Sequence, residues 1–186
     1  MENTEILAIK QCQQGDTESF GLLYDIYIKK IYDFVYYKTN HKETTEDIVS
    51  LVFIKAINNI NNFKINKGTF QAWLYQIARN TVIDHYRTKK QADNIDDYWG
   101  LGDKSDIARD TELKIKLEAV DRYLEKLDSR QREIIIMRVW QGMSYKEIAE
   151  AVGKSEASLK MQFSRAINKL RKEMPLEAMI LLLIGI

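Results

Sequence analysis

Residues 144–172 read SYKEIAEAVGKSEASLKMQFSRAINKLRK, and this stretch decides the fold. Ser144 precedes a short run in which Tyr145, Ile148, Ala149 and Val152 recur at three- and four-residue spacing, the period of a helix with one buried face. Gly153 interrupts the run. Ser155 stands where a helix cap belongs, ahead of Leu159, Phe163, Ala166, Ile167 and Leu170. The pattern predicts a short helix, a tight turn and a longer helix. Gly153 can take the positive φ that such a turn requires. Ala149 is small where the two helices cross, and Ile148, Val152 and Leu159 hold them together. The longer helix is basic, with Lys160, Arg165, Lys169, Arg171 and Lys172 against Glu156. This is the helix-turn-helix form, whose second helix enters a DNA major groove with its N-terminal side chains forward. Ser155, Glu156, Ser158, Lys160 and Gln162 are then placed for base edges or phosphates. Arg165, Lys169 and Arg171 meet the DNA backbone further along. A helical hairpin with a solvated basic face shows the same pattern, so the stretch alone leaves both readings standing.

Charge along the chain bears on both readings and by itself fits solvated helix faces as well. The 186 residues carry 28 Lys and Arg against 27 Asp and Glu, a net charge of +1, which by itself argues against polyanion binding. The distribution is uneven. Residues 93–112 hold Asp93, Asp96, Asp97, Asp103, Asp106, Asp110 and Glu112 against Lys104 and Arg109. Residues 79–90 hold Arg79, Arg87, Lys89 and Lys90 against Asp84. Two basic segments therefore flank an acidic one, and a near-neutral total can conceal two polyanion-facing surfaces.

Working outward, the remainder also reads as helix. Phe20, Leu23, Tyr24, Tyr27, Ile31, Phe34 and Val35 form one stripe, with Asp16 as its N-cap. Thr45 caps a second helix, with Ile48, Leu51, Val52 and Ile54 inside. Residues 60–68 are rich in Asn and end in Gly, a loop signal. Phe70, Trp73, Leu74, Ile77, Ala78 and Thr81 then share a third helical face. Three such helices can enclose one core. Residues 89–110 lose periodicity and read as an acidic linker. Periodicity returns at Leu113, Leu117, Val120, Leu124 and Leu127, with Asp128 or Ser129 capping the helix that follows, and Gly142 ending that run. One Pro and eight Gly stand against roughly nine and thirteen at average usage. That scarcity excludes a turn-rich β-sandwich. The fold class is all-α, with two small helical domains joined by a linker. After Pro175 comes LEAMILLLIGI, too short for the ~20 apolar residues that span a bilayer; it reads as a helix end packed on the second domain, with a membrane or partner contact as the alternative, and its role stays open.

At these residues the chain resembles a known family. Residues 124–172, beginning LEKLDSRQREIIIMRVWQGM, are similar to region 4 of bacterial RNA polymerase sigma factors of the sigma-70 family, and more narrowly to the extracytoplasmic-function (ECF) group. SFGLLYDIYIKKIYDFVYYK resembles region 2.1, TTEDIVSLVFIKAI region 2.2, and GTFQAWLYQIARNTVIDHYR regions 2.3 and 2.4. The resemblance implies region 2 over residues 10–88, a connector over 89–112 and region 4 over 113–173; the apolar tail over 174–186 lies outside it. It implies core RNA polymerase as a partner, with region 2 on the clamp helices and region 4 on the flap. Promoter DNA is the second partner and an anti-sigma factor the third. Clamp contact is expected from Asp47, Ser50 and Lys55. Ser50 and Leu51 depart from the family's acid-plus-Gln pattern there, and Lys154, Met161 and Gln162 depart from the usual recognition helix.

The chemistry expected of region 2 follows from the task of opening a duplex. A protein that captures an unstacked base needs an aromatic face, polar groups for base edges and cations for phosphates. Asn62, Phe63, Lys64, Asn66 and Lys67 offer these in the loop. Tyr75, Gln76, Arg79, Asn80, Tyr86 and Arg87 offer them on the helix after it. Phe63, Trp73 and the two tyrosines also fit ordinary core or surface packing. An alternative function is a self-sufficient helix-turn-helix regulator that binds an operator without polymerase.

Other chemistries find little support. Asp84–His85 and Glu46–Asp47 are isolated pairs with no third metal ligand at useful spacing. Cys12 has no neighbouring His. No phosphate-cradling Gly loop occurs, so NTP binding is not expected, and two scattered His make no Ser/His/Asp arrangement; the resemblance implies that the polymerase does the chemistry, so no cofactor, small-molecule substrate or enzymatic activity is expected. The single Cys and the lack of a secretory leader pattern point to the bacterial cytoplasm.

Overall fold

Capping groups mark most of the helix boundaries in the computed structural model, which describes residues 2–89, 120 and 122–184. The first half comprises α1 (Glu2–Gln13), α2 (Phe20–Thr39), α3 (Lys42–Asn59), a 3-10 turn (Ile60–Asn62) and α4 (Phe70–Lys89). The second half comprises α5 (Ser129–Ile135), a π turn (Ile136–Trp140), α6 (Tyr145–Val152), α7 (Glu156–Glu173) and α8 (Leu176–Ile184). Among the described residues there is no strand. The acidic linker lies outside them, apart from Lys89 at the end of α4.

Two N-caps differ from expectation. Asp16 accepts bonds from the Ser19 hydroxyl and the Glu18 amide one turn ahead of α2, and Ser19 takes the N-cap position. His41, not Thr45, caps α3: its Nδ1 accepts from the Thr44 amide at 3.3 Å. Thr45 is buried in the first turn and bonds back to the His41 carbonyl. A β-branched hydroxyl of this kind satisfies itself on a preceding carbonyl as readily as it caps. Asp128 caps α5, its Oδ1 accepting from the Gln131 amide at 2.8 Å.

The first core forms where α2, α3 and α4 meet. Leu23, Ile31, Phe34, Val35, Ile48, Val52, Ala56, Leu74, Tyr75 and Ala78 are all sealed from solvent. Tyr75 is thus a core residue: its ring lies 5.0 Å from Phe34 and its hydroxyl donates to the Lys30 carbonyl. α1 adds Ala8, Ile9 and Cys12 to this core, so the helical unit begins well before residue 10. Leu51 and Ile54 were expected inside but stand 46 % and 53 % exposed, on the outer face of α3.

The second core gathers Val120, Leu124, Leu127, Ile135, Ala166, Leu170 and Met174. The tail completes it. Ala178 and Leu182 of α8 are buried there, and the Trp140 indole N–H donates to the Leu182 carbonyl at 3.2 Å.

The two halves do not stand apart. α6 packs along α4, and Ile134, Ile136, Met137, Met143, Ile148, Ala151 and Leu159 continue the first core without a break. The Tyr37 and Trp140 rings meet at 4.6 Å across the junction, tilted by 41°, and Gln71 donates to the Gln141 carbonyl at 3.1 Å. The π turn sets Trp140 in place: the Gln141 amide reaches back to Ile136, five residues before it. The added residue per turn swings the indole onto both cores at once.

Candidate nucleic-acid interface

Local chemistry builds the helix-turn-helix as its residues suggested. The Ser144 hydroxyl accepts from the Glu147 amide at 3.2 Å, and the Glu147 carboxylate accepts from the Ser144 amide at 2.7 Å, a reciprocal capping box. Burial works against the charge on Glu147. Bonds from Ser144 and from Thr69, with the Lys30 charge nearby, outweigh it and hold the carboxyl below its ordinary range. Gly153 sits at φ 69°, ψ 39°, where an L side chain would be strained. Its amide and that of Lys154 both donate to the Ala149 carbonyl, which closes α6.

α7 presents the cationic face. Glu156, Lys160, Arg165 and Lys169 are exposed; Ser158 and Gln162 are half-buried and bonded to each other at 2.9 Å. Ser155 begins the helix by accepting from the Ser158 amide, so its first role is the cap. Glu156 lies 3.8 Å from Lys160 and offsets part of its charge at the end that would lead into a groove. The Lys169 ammonium donates to the Lys126 carbonyl and ties α7 to the segment before α5. Ala157, Met161, Ser164 and Asn168 share the exposed face with Lys160 and Arg165. Sequence reasoning did not assign Ser164 and Asn168, although their i+4 and i+8 distance from Lys160 was available as a signal.

In the first half the loop after α3 is held from beneath. Gln13 donates to the carbonyls of Ile60 and Phe63 at 2.9 and 2.8 Å, and the Phe63 ring packs on Phe70 and Trp73. Phe63 is therefore a buried anchor of the loop, and its ring is not a stacking platform for a base. Asn62, Lys64, Asn66 and Lys67 are exposed around it. Along α4, Gln76, Asn80 and Arg87 are exposed in one stripe, at offsets of four and seven residues. Tyr86 and Arg79 leave that stripe. Tyr86 is half-buried, its hydroxyl donating to the Lys38 carbonyl, and burial pushes the phenol pKa up. Arg79 turns to Glu133 of α5.

The outer face of α3 carries Asp47, Ser50, Leu51 and Ile54, all exposed. Lys55 lies to one side, bonded to Thr81 at 3.1 Å and 3.8 Å from Asp84. The structure thus brings Asp47 and Ser50 together but separates Lys55 from them. Among the described residues no group of three His, Cys, Asp or Glu is placed to hold a metal, and no helix is long and apolar enough to cross a membrane.

Comparison with known proteins places this architecture. The model of sigma-70 region 2 matches residues 23–92, and that of sigma-70 region 4 matches residues 117–170. The ECF RNA polymerase sigma factor SigW of Bacillus subtilis is 33% identical over 182 residues, covering 89% of this chain and 94% of SigW. The chain belongs to the sigma-70 family. It is a sigma factor of the ECF group, and it directs RNA polymerase to promoters. SigX of Bacillus subtilis is 35% identical over 167 residues, covering 86% of this chain and 85% of SigX. BldN of Streptomyces coelicolor is 31% identical over 175 residues; the match covers 91% of this sigma factor and 66% of BldN. The fold recurs in CnrH, solved with the cytosolic domain of CnrY, at a TM-score of 0.71 and 23% identity over 91% of this chain and 96% of CnrH. It recurs again in RpoE of Bartonella quintana, solved with the anti-sigma factor NepR, at a TM-score of 0.65 and 21% identity over 84% of this chain and 96% of that one.

Proposed function

We propose that this sigma factor divides a promoter between its halves. The first half holds the melted minus-10 strand, and α7 of the second half reads the minus-35 duplex. The carrying observation is the pairing of two solvent-facing polar surfaces: the stripe Gln76, Asn80, Arg87 beside the Asn62–Lys64–Asn66–Lys67 loop, and the Lys160–Arg165 face of α7. Asn and Gln pair with base edges, while Lys and Arg hold phosphates. Polymerase is engaged by the outer face of α3, where Leu51 and Ile54 supply an apolar contact between Asp47 and Ser50. The partners in this reading are the clamp helices and flap of core polymerase, and promoter DNA. The complexes solved for CnrH and for the Bartonella RpoE support an anti-sigma factor as a further partner. The factor works where the polymerase does, in the cytoplasm, and the polymerase performs the chemistry.

Run-off transcription with purified core polymerase across a promoter library tests this reading. Specific transcripts are expected only when both proteins are present. Tight binding of the isolated chain to one duplex, unchanged by core polymerase, would overturn it in favour of an operator-binding regulator.

A further inference from the structure

Glu133 lies in α5, in the second half, yet its carboxylate is enclosed by two cations of the first half. Lys38 Nζ is 2.7 Å from Oε1, and Arg79 Nε is 3.4 Å from Oε1 and 3.5 Å from Oε2. The side chains of Glu133 and Lys38 are 7% and 8% exposed, that of Arg79 25%. Closure of the halves does not require charge here. An apolar pair of the same volume would close the junction as well or better, because taking ions from water costs about what their attraction returns. The cations therefore call for another use.

Their position supplies one. Arg79 is next to Asn80 and three residues from Gln76, so it borders the exposed polar stripe of α4. Lys38 ends α2 at the same edge, its backbone carbonyl accepting from Tyr86 of α4. An ammonium and a guanidinium converging on the oxygens of one carboxylate are equally suited to the oxygens of a phosphodiester. The second half covers more of this edge. Thr69 donates to Glu147 at 3.0 Å, Gln71 donates to the Gln141 carbonyl, and the Glu150 carboxylate lies against Gly68, 2.5 Å from where a Cβ would stand. The covering side chains Glu133, Glu147 and Glu150 are all acidic, as a stand-in for a strand of phosphates would be.

We propose that Lys38 and Arg79 form a binding pair for a phosphate of single-stranded DNA, and that Glu133 occupies this pair as a phosphate surrogate while the halves are closed. This rests on the reading that the first half holds the melted strand. Separation of the halves removes the carboxylate and uncovers the pair beside Gln76 and Asn80. DNA and the second half then compete for the same two cations.

The test uses the full chain. Dyes attached through Asn58→Cys and Glu177→Cys, both exposed positions, report the distance between halves by energy transfer; Cys12 is buried and is spared. Anisotropy of a labelled single-stranded oligodeoxynucleotide of mixed sequence reports binding. Glu133→Gln removes the carboxylate charge that stands between buried Lys38 and partly exposed Arg79. It is expected to lower energy transfer, to shift the open-to-closed ratio by about a hundredfold or more, and to tighten oligonucleotide binding. Lys38→Met on that background is expected to weaken binding at a given open fraction. It should also make the log–log salt slope shallower by about 0.7, the loss of one phosphate contact on a single strand. Unchanged transfer and binding in Glu133→Gln would overturn the surrogate role. Opening without any effect of Lys38→Met would overturn the phosphate pair. The double variant Lys38→Met/Glu133→Met keeps the volume filled, and it serves if Glu133→Gln loses its cooperative thermal transition. It is expected to stay closed and to bind no better than the unaltered chain, and tighter binding by it would also overturn the proposal. Run-off transcription by the unaltered chain separates the two levels. Specific transcripts alongside a failed Lys38 result would sink this inference alone, and absent transcripts would sink the strand-holding reading beneath it.

Discussion

Replacing Trp140 tests whether the two cores form one cooperative unit. The indole packs at a tilt on Tyr37 of α2, donates to the Leu182 carbonyl of α8, and touches both buried clusters. Truncation of a core aromatic to Ala costs about 3–5 kcal/mol, and a half-buried ring belongs at the lower end, about 3 kcal/mol. For a chain of this size each kcal/mol moves the midpoint by about 2–4 °C, so Trp140→Ala should lower Tm by about 6–12 °C. Trp140→Phe keeps most of the ring contact and takes the N–H donor from the carbonyl of buried Leu182, so it should cost about 1–3 kcal/mol. The assay is thermal and urea unfolding followed by circular dichroism at the helix band. A double-mutant cycle with Tyr37→Ala isolates the junction itself, with an expected coupling of about 0.5–1.5 kcal/mol. A single transition is also expected, because the first core runs through both halves and Trp140 joins it to the second. Two resolved transitions with no coupling between Tyr37 and Trp140 would refute the closed packing.

Other outcomes follow from individual side chains. Leu51→Glu with Ile54→Glu should leave Tm within about 1 kcal/mol-equivalent of the parent, since both are exposed, while weakening capture by core polymerase in a pull-down. Retained capture would remove α3 from the polymerase interface. Arg87→Ala should lower open-complex formation on every promoter alike and reduce the salt slope by about 0.7; a loss confined to some promoters would assign it to base reading instead. Acid should loosen the α4–α6 contact through Glu147. Its folded pKa lies below the ordinary 4.5, so its stabilisation is complete above that value and is lost as pH falls through the folded value. Glu147→Gln should flatten the fall in urea midpoint below about pH 4.5, and an unchanged fall would acquit this residue.

Much of the second half was legible because its signals are local. Ser144, Asp128 and Ser155 cap helices through amides three residues away, and Gly153 ends α6 by its own φ. Such features need no tertiary partner. The apolar stripes of α2 and α4 were likewise readable, except for Tyr24, which is exposed; the tail's packing on the second core was one of several readings its sequence left open. Phe63 and Tyr75 were not. An aromatic in a polar loop or on a mixed helix has the same sequence signature whether it faces water or a neighbour. Leu51 and Ile54 show the converse: their spacing fits a buried face, but among the described residues no helix covers that side of α3.

By itself, then, the sequence determined an all-α chain, its helix stops and caps, its helix-turn-helix and its family, since each rests on residues within a turn or two of one another. Tertiary structure alone decided that the halves close on each other. Lys38 and Glu133 are separated by 95 positions, and no local period links them. Which surface an apolar stripe seals against, and which carboxylate a cation faces, depends on the global path of the chain. That path placed region 4 acids over the edge of region 2 that its own cations line.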